Sequence, residues 1–254
     1  MPRHVTGTFA GPDDGGFQLY SRVEAVTTAK IPDALAEKEA SVLPLAVDTA
    51  GVGLYDSKDK GFLGLQYPSL NPSPSGKTIL VWGASGSVGA LAVQLAAASG
   101  AKVIGVASAH NHAFVKQLGA VEVVDYKKAS VVDDAVKAIK AAGGSFEGIY
   151  DSISTPDSTT PVFEIAEKIG GSNVCLTLPA PENVPSSVKI GAVFGINAQV
   201  NGPLWEKYLT PALEQGKLKA VPEPLIIGKG LESVQKGLDK NKEGVSAKKV
   251  VIEL

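Results

Sequence analysis

Apolar runs and helical patterns alternate along the middle of the chain. Five runs rich in apolar and β-branched residues predict strands at Thr78–Trp82, Lys102–Ala107, Val121–Val124, Gly148–Ser152 and Asn173–Leu178. Helical periodicity between most of these runs predicts helices at Ser87–Ser99, from Ser130 to Gly143, and from about Pro161 to Ile169. Strands that alternate with helices in this way predict an α/β fold whose parallel sheet is doubly wound, with right-handed crossovers.

Helix-start signals refine two of these elements. Ser130 is followed three residues later by Asp133, a spacing that indicates a capping box at the N-terminus of the helix. Pro161 suits the first helical position, where the missing N–H of proline costs nothing.

The two chain ends have a different pattern. Weak alternation predicts a strand at Gly16–Ala25, and an apolar run predicts a terminal strand at Lys248–Leu254. Two amphipathic patterns before the latter predict helices near Leu204–Gln215 and Leu231–Lys240. We therefore expect both ends to form a second, smaller unit, with the α/β core inserted between them.

Composition narrows the possible functions. The 254 residues are 44% hydrophobic and 20% charged, with a net charge of −2, which is typical of a globular protein and gives no electrostatic reason to expect nucleic acid or an anionic membrane as partner. The N-terminal residues lack the apolar stretch of a signal peptide, and the longest apolar run is too short to span a bilayer. The chain has one cysteine, Cys175, which fits a reducing compartment. We expect a cytoplasmic protein.

The turn after the first predicted strand carries the strongest functional signal. Gly83, Gly86 and Gly89 recur every three residues between a strand and a helix, with a second strand following on schedule. In a dinucleotide-binding βαβ unit of the Rossmann type, such glycines let backbone N–H groups and the helix N-terminus approach a pyrophosphate. The cofactor-binding residues predicted at this turn are Gly83, Ala84, Ser85, Gly86, Ser87, Val88 and Gly89.

Two other nucleotide-binding families do not fit. A P-loop ending at Ser75–Thr78 would need glycine at position 71, which is Asn71, and its lysine would have to follow the strand. Short-chain dehydrogenases need a tyrosine with a lysine four residues later, and none of the six tyrosines has that spacing.

The end of the second predicted strand indicates which dinucleotide binds. NAD-preferring sites place a carboxylate there, on the ribose hydroxyls, and this chain has no acid between Ala107 and His112. An acid would repel a 2′-phosphate, so its absence favours NADP(H), with Ser108, His110 and Asn111 as hydrogen-bonding candidates. An arginine would strengthen the preference for NADP(H), but the sequence has none at this position.

The chain resembles a known enzyme superfamily over nearly its whole length. The segments PLAVDTAGVGLY, TILVWGASGSVGALAVQLA, QLGAVEVVDYK, GIYDSIS and GVSAKKVVIEL are similar to those of medium-chain dehydrogenases/reductases. The similarity is greatest to the zinc-independent fungal enoyl-reductase-like and quinone-oxidoreductase-like branch. The resemblance implies a Rossmann domain at 41–200 and a β-rich, GroES-like catalytic domain contributed by residues 1–40 and 201–254.

The resemblance also implies further site residues. Ser108, Asn111 and Tyr126 match residues around the 2′-phosphate and adenine, and Thr49 matches a threonine near the nicotinamide. The same end would be lined by Asp151, Ser152, Val193, Phe194 and Gly195.

The implied activity is NADPH-dependent hydride transfer to an activated C=C or carbonyl of a small-molecule substrate. Catalytic zinc would need cysteine and histidine ligands, and Cys175 with His4, His110 and His112 cannot supply a tetrahedral site, so we expect no metal. The proton donor is not identified.

Family members begin with a long GroES-like segment, of which this sequence matches only the end. We therefore expect a substrate cleft with an incomplete wall, which a second copy of the chain or another partner subunit would be able to complete. Besides a reductase, the alternatives that stay open are a non-catalytic NADPH-binding remnant and a regulatory or interaction protein.

Overall fold

The computed structural model describes residues 4–6, 22–195 and 197–253. Six strands form one parallel sheet in the order β5-β4-β3-β6-β7-β8, and all five strand runs predicted in the core belong to it. Its strands are β3 (Lys77–Trp82), β4 (Lys102–Val106), β5 (Ala120–Val124), β6 (Ser145–Asp151), β7 (Ser172–Leu176) and β8 (Val188–Ala192). The strand order reverses direction beside β3, which makes this a doubly wound Rossmann sheet.

The helices include those that cover both faces of the sheet and others that pack outside it. They are α1 (Glu37–Ala40), α2 (Pro44–Tyr55), α3 (Ser87–Ala98), α4 (His112–Gln117), α5 (Val131–Ala142), α6 (Pro156–Lys168), α7 (Ala198–Pro203), α8 (Thr210–Glu214) and α9 (Val234–Glu243). A π-helical turn at Leu204–Leu209 joins α7 to α8, in the region where a helix near 204–215 is predicted. None of the helices in the described ranges has the length and apolar character of a membrane span.

The central strand β3 shows how the sequence builds two cores. Ile79 and Val81 point to one face, into the apolar cluster that contains α2 and α3. Leu80 and Trp82 point to the other face, into the cluster that contains α5 and α6. Because successive strand residues alternate between faces, a continuous apolar run is what a strand buried on both sides requires.

Two small sheets lie outside the large one. The first pairs β1 (His4–Thr6) with β2 (Thr28–Lys30) in antiparallel fashion, and the second pairs β9 (Glu223–Lys229) with β10 (Lys248–Glu253) in parallel. The predicted terminal strand is thus present as β10. Lys38 Nζ lies 3.9 Å from Glu253 Oε1, so the region around α1 meets the end of β10.

Several predictions at element ends are wrong. The third core helix begins at Pro156, which occupies its first turn, so Pro161 lies inside it. The helix starts early because Thr155 and Ser158 form a capping box. The box predicted at Ser130 is absent: Ser130 Oγ donates to Asp134 Oδ2 at 3.0 Å and caps no backbone N–H.

The N-terminal strand predicted at Gly16–Ala25 is only partly testable. Residues 16–21 lie outside the described residues. Residues 22–24 are not in a strand, and Ala25 begins a 3₁₀ turn, Ala25–Thr27, that leads into β2.

Candidate functional site

The carboxyl ends of three neighbouring strands define the site. Trp82, the last residue of β3, pairs in register with Val106 of β4 and with Asp151 of β6. The loops that follow these strands therefore start side by side, at the point where the strand order reverses. This is the crevice in which doubly wound sheets bind ligands.

The predicted glycine-rich turn lies at this crevice. Gly83 has φ of +74°, which favours glycine, and its carbonyl accepts a hydrogen bond from Gly86 N at 2.9 Å. A Cβ at Gly89 would collide with the Gly83 carbonyl, so this glycine serves the contact between turn and helix. A Cβ at Gly86 would approach only the Gly83 carbonyl, at 3.3 Å. Packing therefore explains Gly83 and Gly89, whereas the space in front of Gly86 is open.

The N-terminus of α3 is uncapped. Gly86 is the residue before the helix and supplies no side-chain acceptor, so the amides of Ser87, Val88 and Gly89 have no partner within the helix. The 12-residue helix also concentrates partial positive charge at this end. Ala84 differs from its neighbours because it is fully buried, with its N–H donating to Val106 O at 3.0 Å.

Lys249 of β10 reaches the same helix end, and sequence reasoning did not identify it. Its Nζ donates to Ser87 Oγ at 3.2 Å, and burial lowers the pKa of the Lys249 ammonium. No carboxylate within the described part of the chain pairs with Lys249, whereas neighbouring Lys248 pairs with Glu223. A partly buried ammonium beside uncapped amides is an arrangement that is able to hold an anion. The sequence feature that could have identified Lys249 is its position as a charged residue within the apolar run of β10.

The predicted residues after β4 converge on one spot. Asn111 Nδ2 donates to Ser85 Oγ at 3.1 Å and to Ser108 Oγ at 3.4 Å, and His110 Nε2 lies 3.4 Å from Ser108 Oγ. Ser246, from the segment before β10, joins them: its Oγ lies 3.4 Å from Asn111 Nδ2 and 3.3 Å from His110 Nε2. These five residues are called the hydroxyl cluster below.

A groove connects the cluster with the turn. It has a volume of about 430 Å³, and its lining includes the predicted residues Gly83, Ser85, Gly86, Ser108, Asn111 and Tyr126. It continues past Gly86 into a second cavity of about 440 Å³, which Ser87 and Lys249 line. Lining residues that sequence reasoning missed include Ile153, Thr155, Asp157, Val245, Ser246 and Ala247.

Asp151 and Ser152 hold the loop after β6. The Asp151 carboxylate is fully buried and accepts hydrogen bonds from Ile153 N, Ser154 N and Ser158 Oγ at 2.7–3.0 Å. Burial raises the pKa of Asp151, although these hydrogen bonds oppose the rise. Ser152 Oγ donates to Trp82 O at 2.7 Å. The structure thus places both side chains behind the groove wall, where they shape the loop.

Thr49 and Gly195 lie against each other at the other predicted end of the site. A Cβ on Gly195 would lie 3.3 Å from Thr49 Oγ1, which itself donates to Leu45 O at 2.7 Å. Val193 N donates to Leu176 O at 2.8 Å and extends the sheet. The side chain of Phe194 is 71% exposed.

Asn201 links the backbone at Gly195 with the helix α2 at the Thr49 end of the site. Its Nδ2 donates to Gly195 O at 2.9 Å and to Asp48 O at 3.2 Å. Asp48 is buried within α2, and its Oδ1 accepts from Trp205 Nε1 at 2.6 Å. Burial raises the pKa of Asp48 to about 7, and the Trp205 hydrogen bond only partly opposes this.

The described residues contain no group of three or more His, Cys, Asp or Glu side chains able to hold a metal ion. Cys175 is buried in β7, with Sγ 3.3 Å from Gly53 O, and His112 Nε2 lies 3.2 Å from Ala107 O.

Comparisons with known proteins show which family the chain belongs to. A family profile described as zinc-binding dehydrogenase matches residues 87–211. The chain is 42% identical to the dehydrogenase orsE of Emericella nidulans, over 98% of this chain and 74% of that protein. It is 39% identical to the trans-enoyl reductase himH of Aspergillus japonicus, over 95% of this chain and 69% of that protein.

A solved structure has the same fold. An alcohol dehydrogenase superfamily protein from Novosphingobium aromaticivorans superposes with a TM-score of 0.71 at 23% identity, covering 92% of this chain and 69% of that one. The relatives above establish the family. The chain belongs to the medium-chain dehydrogenase/reductase superfamily of oxidoreductases, in its enoyl-reductase-like branch.

Proposed function

We propose that this chain binds NADPH and acts in a zinc-independent reductase that delivers hydride to an activated C=C or carbonyl. The observation that carries the proposal is the anion site at Gly86, Ser87 and Lys249. Backbone amides, a helix N-terminus and a partly buried ammonium meet there beside an open groove.

The residues present fit a dinucleotide. The uncapped amides of α3 and Lys249 would hold the pyrophosphate, and Gly86 leaves the space that a side chain would fill. When bound, the nicotinamide supplies the hydride. The contact between Thr49 and Gly195, held by Asn201, supplies the surface against which that end of the cofactor would lie.

The preference for NADPH rests on the hydroxyl cluster. Hydrogen-bonding side chains follow β4 at the position where NAD-binding sites place a carboxylate. The groove does contain one acid that sequence reasoning missed, Asp157, which belongs to the first turn of α6 on another part of the lining. If Asp157 instead held the ribose hydroxyls, Asp157→Asn would weaken NADH binding selectively.

The substrate class and zinc independence have separate support. Relatives named trans-enoyl reductases, himH among them, favour an enoyl or enone acceptor over an alcohol. The chain has one cysteine and three histidines, too few for the nitrogen and sulfur ligands of a zinc enzyme that also has a structural site.

The decisive experiment compares two adjacent lysines. Lys249→Gln removes the cation at the anion site, while Lys248→Gln removes one that pairs with Glu223 on the other face of the strand. Charge-assisted hydrogen bonds contribute about 1.5–3 kcal/mol, so we expect Lys249→Gln to weaken NADPH and NADH about 10- to 100-fold. Lys248→Gln should stay within about twofold of the wild type by the same conversion.

Fluorescence titration of both nucleotides measures this directly. Equal effects of the two variants would mean that the pyrophosphate does not lie at Lys249. Oxidation of NADPH with an enoyl thioester, an enone and a quinone, with and without chelator, tests the reaction. Chelator-sensitive turnover would refute zinc independence, and tight binding without turnover on any acceptor would favour a non-catalytic NADPH-binding protein.

A further inference from the structure

Two glycines lie inside the helix α2, although glycine is unfavourable within a helix. Each of them makes room for one polar side chain from another element. A Cβ at Gly51 would collide with Asn201 Oδ1, and a Cβ at Gly53 would collide with the ring of Tyr150. Both of these polar side chains are fully buried. The glycines of α2 thus allow Asn201 and Tyr150 to approach the helix backbone closely.

The two side chains donate to neighbouring carbonyls of α2. Tyr150 Oη donates to Thr49 O at 2.7 Å, and Asn201 Nδ2 donates to Asp48 O at 3.2 Å. A carbonyl in the middle of a helix accepts one bond from the amide four residues on and has a second lone pair for another donor. The helix does not need the additional bonds. They fix Asp48 and Thr49 relative to β6, which carries Tyr150, and to α7, which carries Asn201.

The Asn201 amide also reaches the loop after β8. Its Nδ2 donates to Gly195 O at 2.9 Å, whereas its Oδ1 has no hydrogen-bond partner in the part of the chain that the structure describes. A buried amide oxygen without a partner is destabilising. An apolar side chain would therefore stabilise this position better, and the two carbonyls that Asn201 joins are the stronger reason for its presence.

The position of Gly195 depends on such bonds because it lies beyond the sheet. Val193 N still bonds to the end of β7, but the carbonyl of Gly195 accepts from Asn197 N, at 3.1 Å, and from Asn201. A Cβ on Gly195 would lie 3.3 Å from Thr49 Oγ1, so the two residues are in close contact. Asn201 bridges the backbones on both sides of this contact, and Tyr150 holds the Thr49 side from the sheet.

We propose that Tyr150 and Asn201 are positioning residues, which hold Thr49 against Gly195 so that the nicotinamide of the cofactor is bound in one orientation. The inference rests on the proposed function, in which Thr49 and Gly195 form the nicotinamide end of the site. Both proposed residues are fully buried and act through these two neighbours. Their role matters for hydride transfer because a misplacement of about 1 Å is able to cost about 100-fold in rate.

Two variants remove the bonds, and a third is a matched control. Tyr150→Phe deletes only the hydroxyl and keeps the ring that packs against Gly53. Asn201→Ala removes both bonds of the amide. The control is Tyr208→Phe, because Tyr208 is also buried but its hydroxyl has no hydrogen-bond partner among the described residues.

The test measures the nicotinamide end without any turnover. 2′-Phospho-ADP-ribose is NADPH without its nicotinamide, so the ratio of the two dissociation constants, measured by calorimetry, reports on that end alone. Tyr150→Phe and Asn201→Ala should lower the preference for NADPH about threefold to tenfold, the equivalent of about one hydrogen bond. Binding of 2′-phospho-ADP-ribose should stay within about twofold of wild type by the same conversion, and Tyr208→Phe should change neither constant.

Each other outcome has a distinct meaning. If the wild type does not bind NADPH, the proposed function fails and the inference fails with it. If the wild type prefers NADPH and Tyr150→Phe lowers only the melting temperature, Tyr150 and Asn201 stabilise the fold alone; the inference is overturned and NADPH binding stands. Equal affinity of the wild type for the two ligands would also overturn it, because Thr49 and Gly195 would then give the nicotinamide no favourable contact. Tyr150→Phe decides the matter if Asn201→Ala does not fold.

Discussion

Asp48 is predicted to make the folded protein less stable as pH rises from about 4 to about 7. Its carboxyl is 4% exposed and receives one side-chain hydrogen bond, from Trp205 Nε1. Burial raises its pKa from 3.8 to about 7. The folded state therefore holds this proton more tightly than the unfolded state does, and unfolding releases it between those two values. Stability from this group is fully present below pH 3.8 and falls until pH is above about 7.

The substitution Asp48→Asn isolates the effect. The amide oxygen still accepts from Trp205, but the side chain cannot ionise. A tenfold change in proton affinity corresponds to about 1.4 kcal/mol, so a pKa raised from 3.8 to about 7 corresponds to at most about 4 kcal/mol. Local relaxation and water entry reduce that figure, and we expect the variant to be more stable by about 2–4 kcal/mol at pH 8 and within about 1 kcal/mol of wild type at pH 4.

Urea unfolding at half-unit steps from pH 4 to pH 8.5 measures this, with tryptophan fluorescence as the signal because Trp205 is itself buried at the site. The control is Asp59→Asn, which removes a carboxylate from an exposed turn. The unfolding free energy of Asp48→Asn is compared with that of the wild type at each pH. If the difference is constant, or shrinks as pH rises, Asp48 does not hold its proton in the folded protein.

Two further predictions concern the turn and an ion pair. Gly86→Val should weaken NADPH and NADH at least about tenfold with little change in melting temperature, because its Cβ meets only the Gly83 carbonyl and projects into the groove. Loss of the fold, or normal binding by calorimetry, would contradict this. Glu147→Gln should destabilise the protein by about 1–2 kcal/mol at pH 7. Burial alone would raise the pKa of Glu147, but Lys58 Nζ at 2.5 Å and Lys77 Nζ at 3.9 Å hold it below its usual value. The stabilisation is thus present above pH 4.5 and lost as pH falls further. Denaturation curves at pH 7 and pH 3 should therefore converge at the lower pH, and a difference that persists there would refute the electrostatic explanation.

Sequence predicted those elements whose pattern of apolar and polar residues follows directly from which of their faces are buried. The strand β3 is buried on both faces and reads as an unbroken apolar run, and α5 has one buried face. The helix α2 has neither pattern, because nine of its 12 residues are buried and there is no polar side to mark a period. The strands β8 and β9 were missed because Lys189 and Pro224 interrupt their apolar pattern.

In the candidate site, residues that lie close together in sequence were predicted, whereas contacts between distant residues were not. The glycine turn and the residues after β4 are local in sequence, so their spacing was sufficient to identify them. The contacts of Ser246 and Lys249 were not predictable, because they reach Asn111 and Ser87 across 135 and 162 residues. The resemblance placed Asp151 at the nicotinamide end of the site, but sequence position does not reveal that its carboxylate turns into the loop behind the groove wall.

Through these long-range contacts the C-terminal segment meets the α/β core at the candidate cofactor site. Gly237 is the one buried residue of α9, and the six residues of β10 are all partly exposed, so apolar packing attaches this unit weakly to the core. Its polar links to the core at the site run through Ser246 and Lys249 to the β4 loop and to α3. A dinucleotide that bound at both places would contact the α/β core and the C-terminal segment together. Binding energy would then also fix the position of β10 against α3, and truncation of the last strand would weaken cofactor binding even though every glycine of the turn remained.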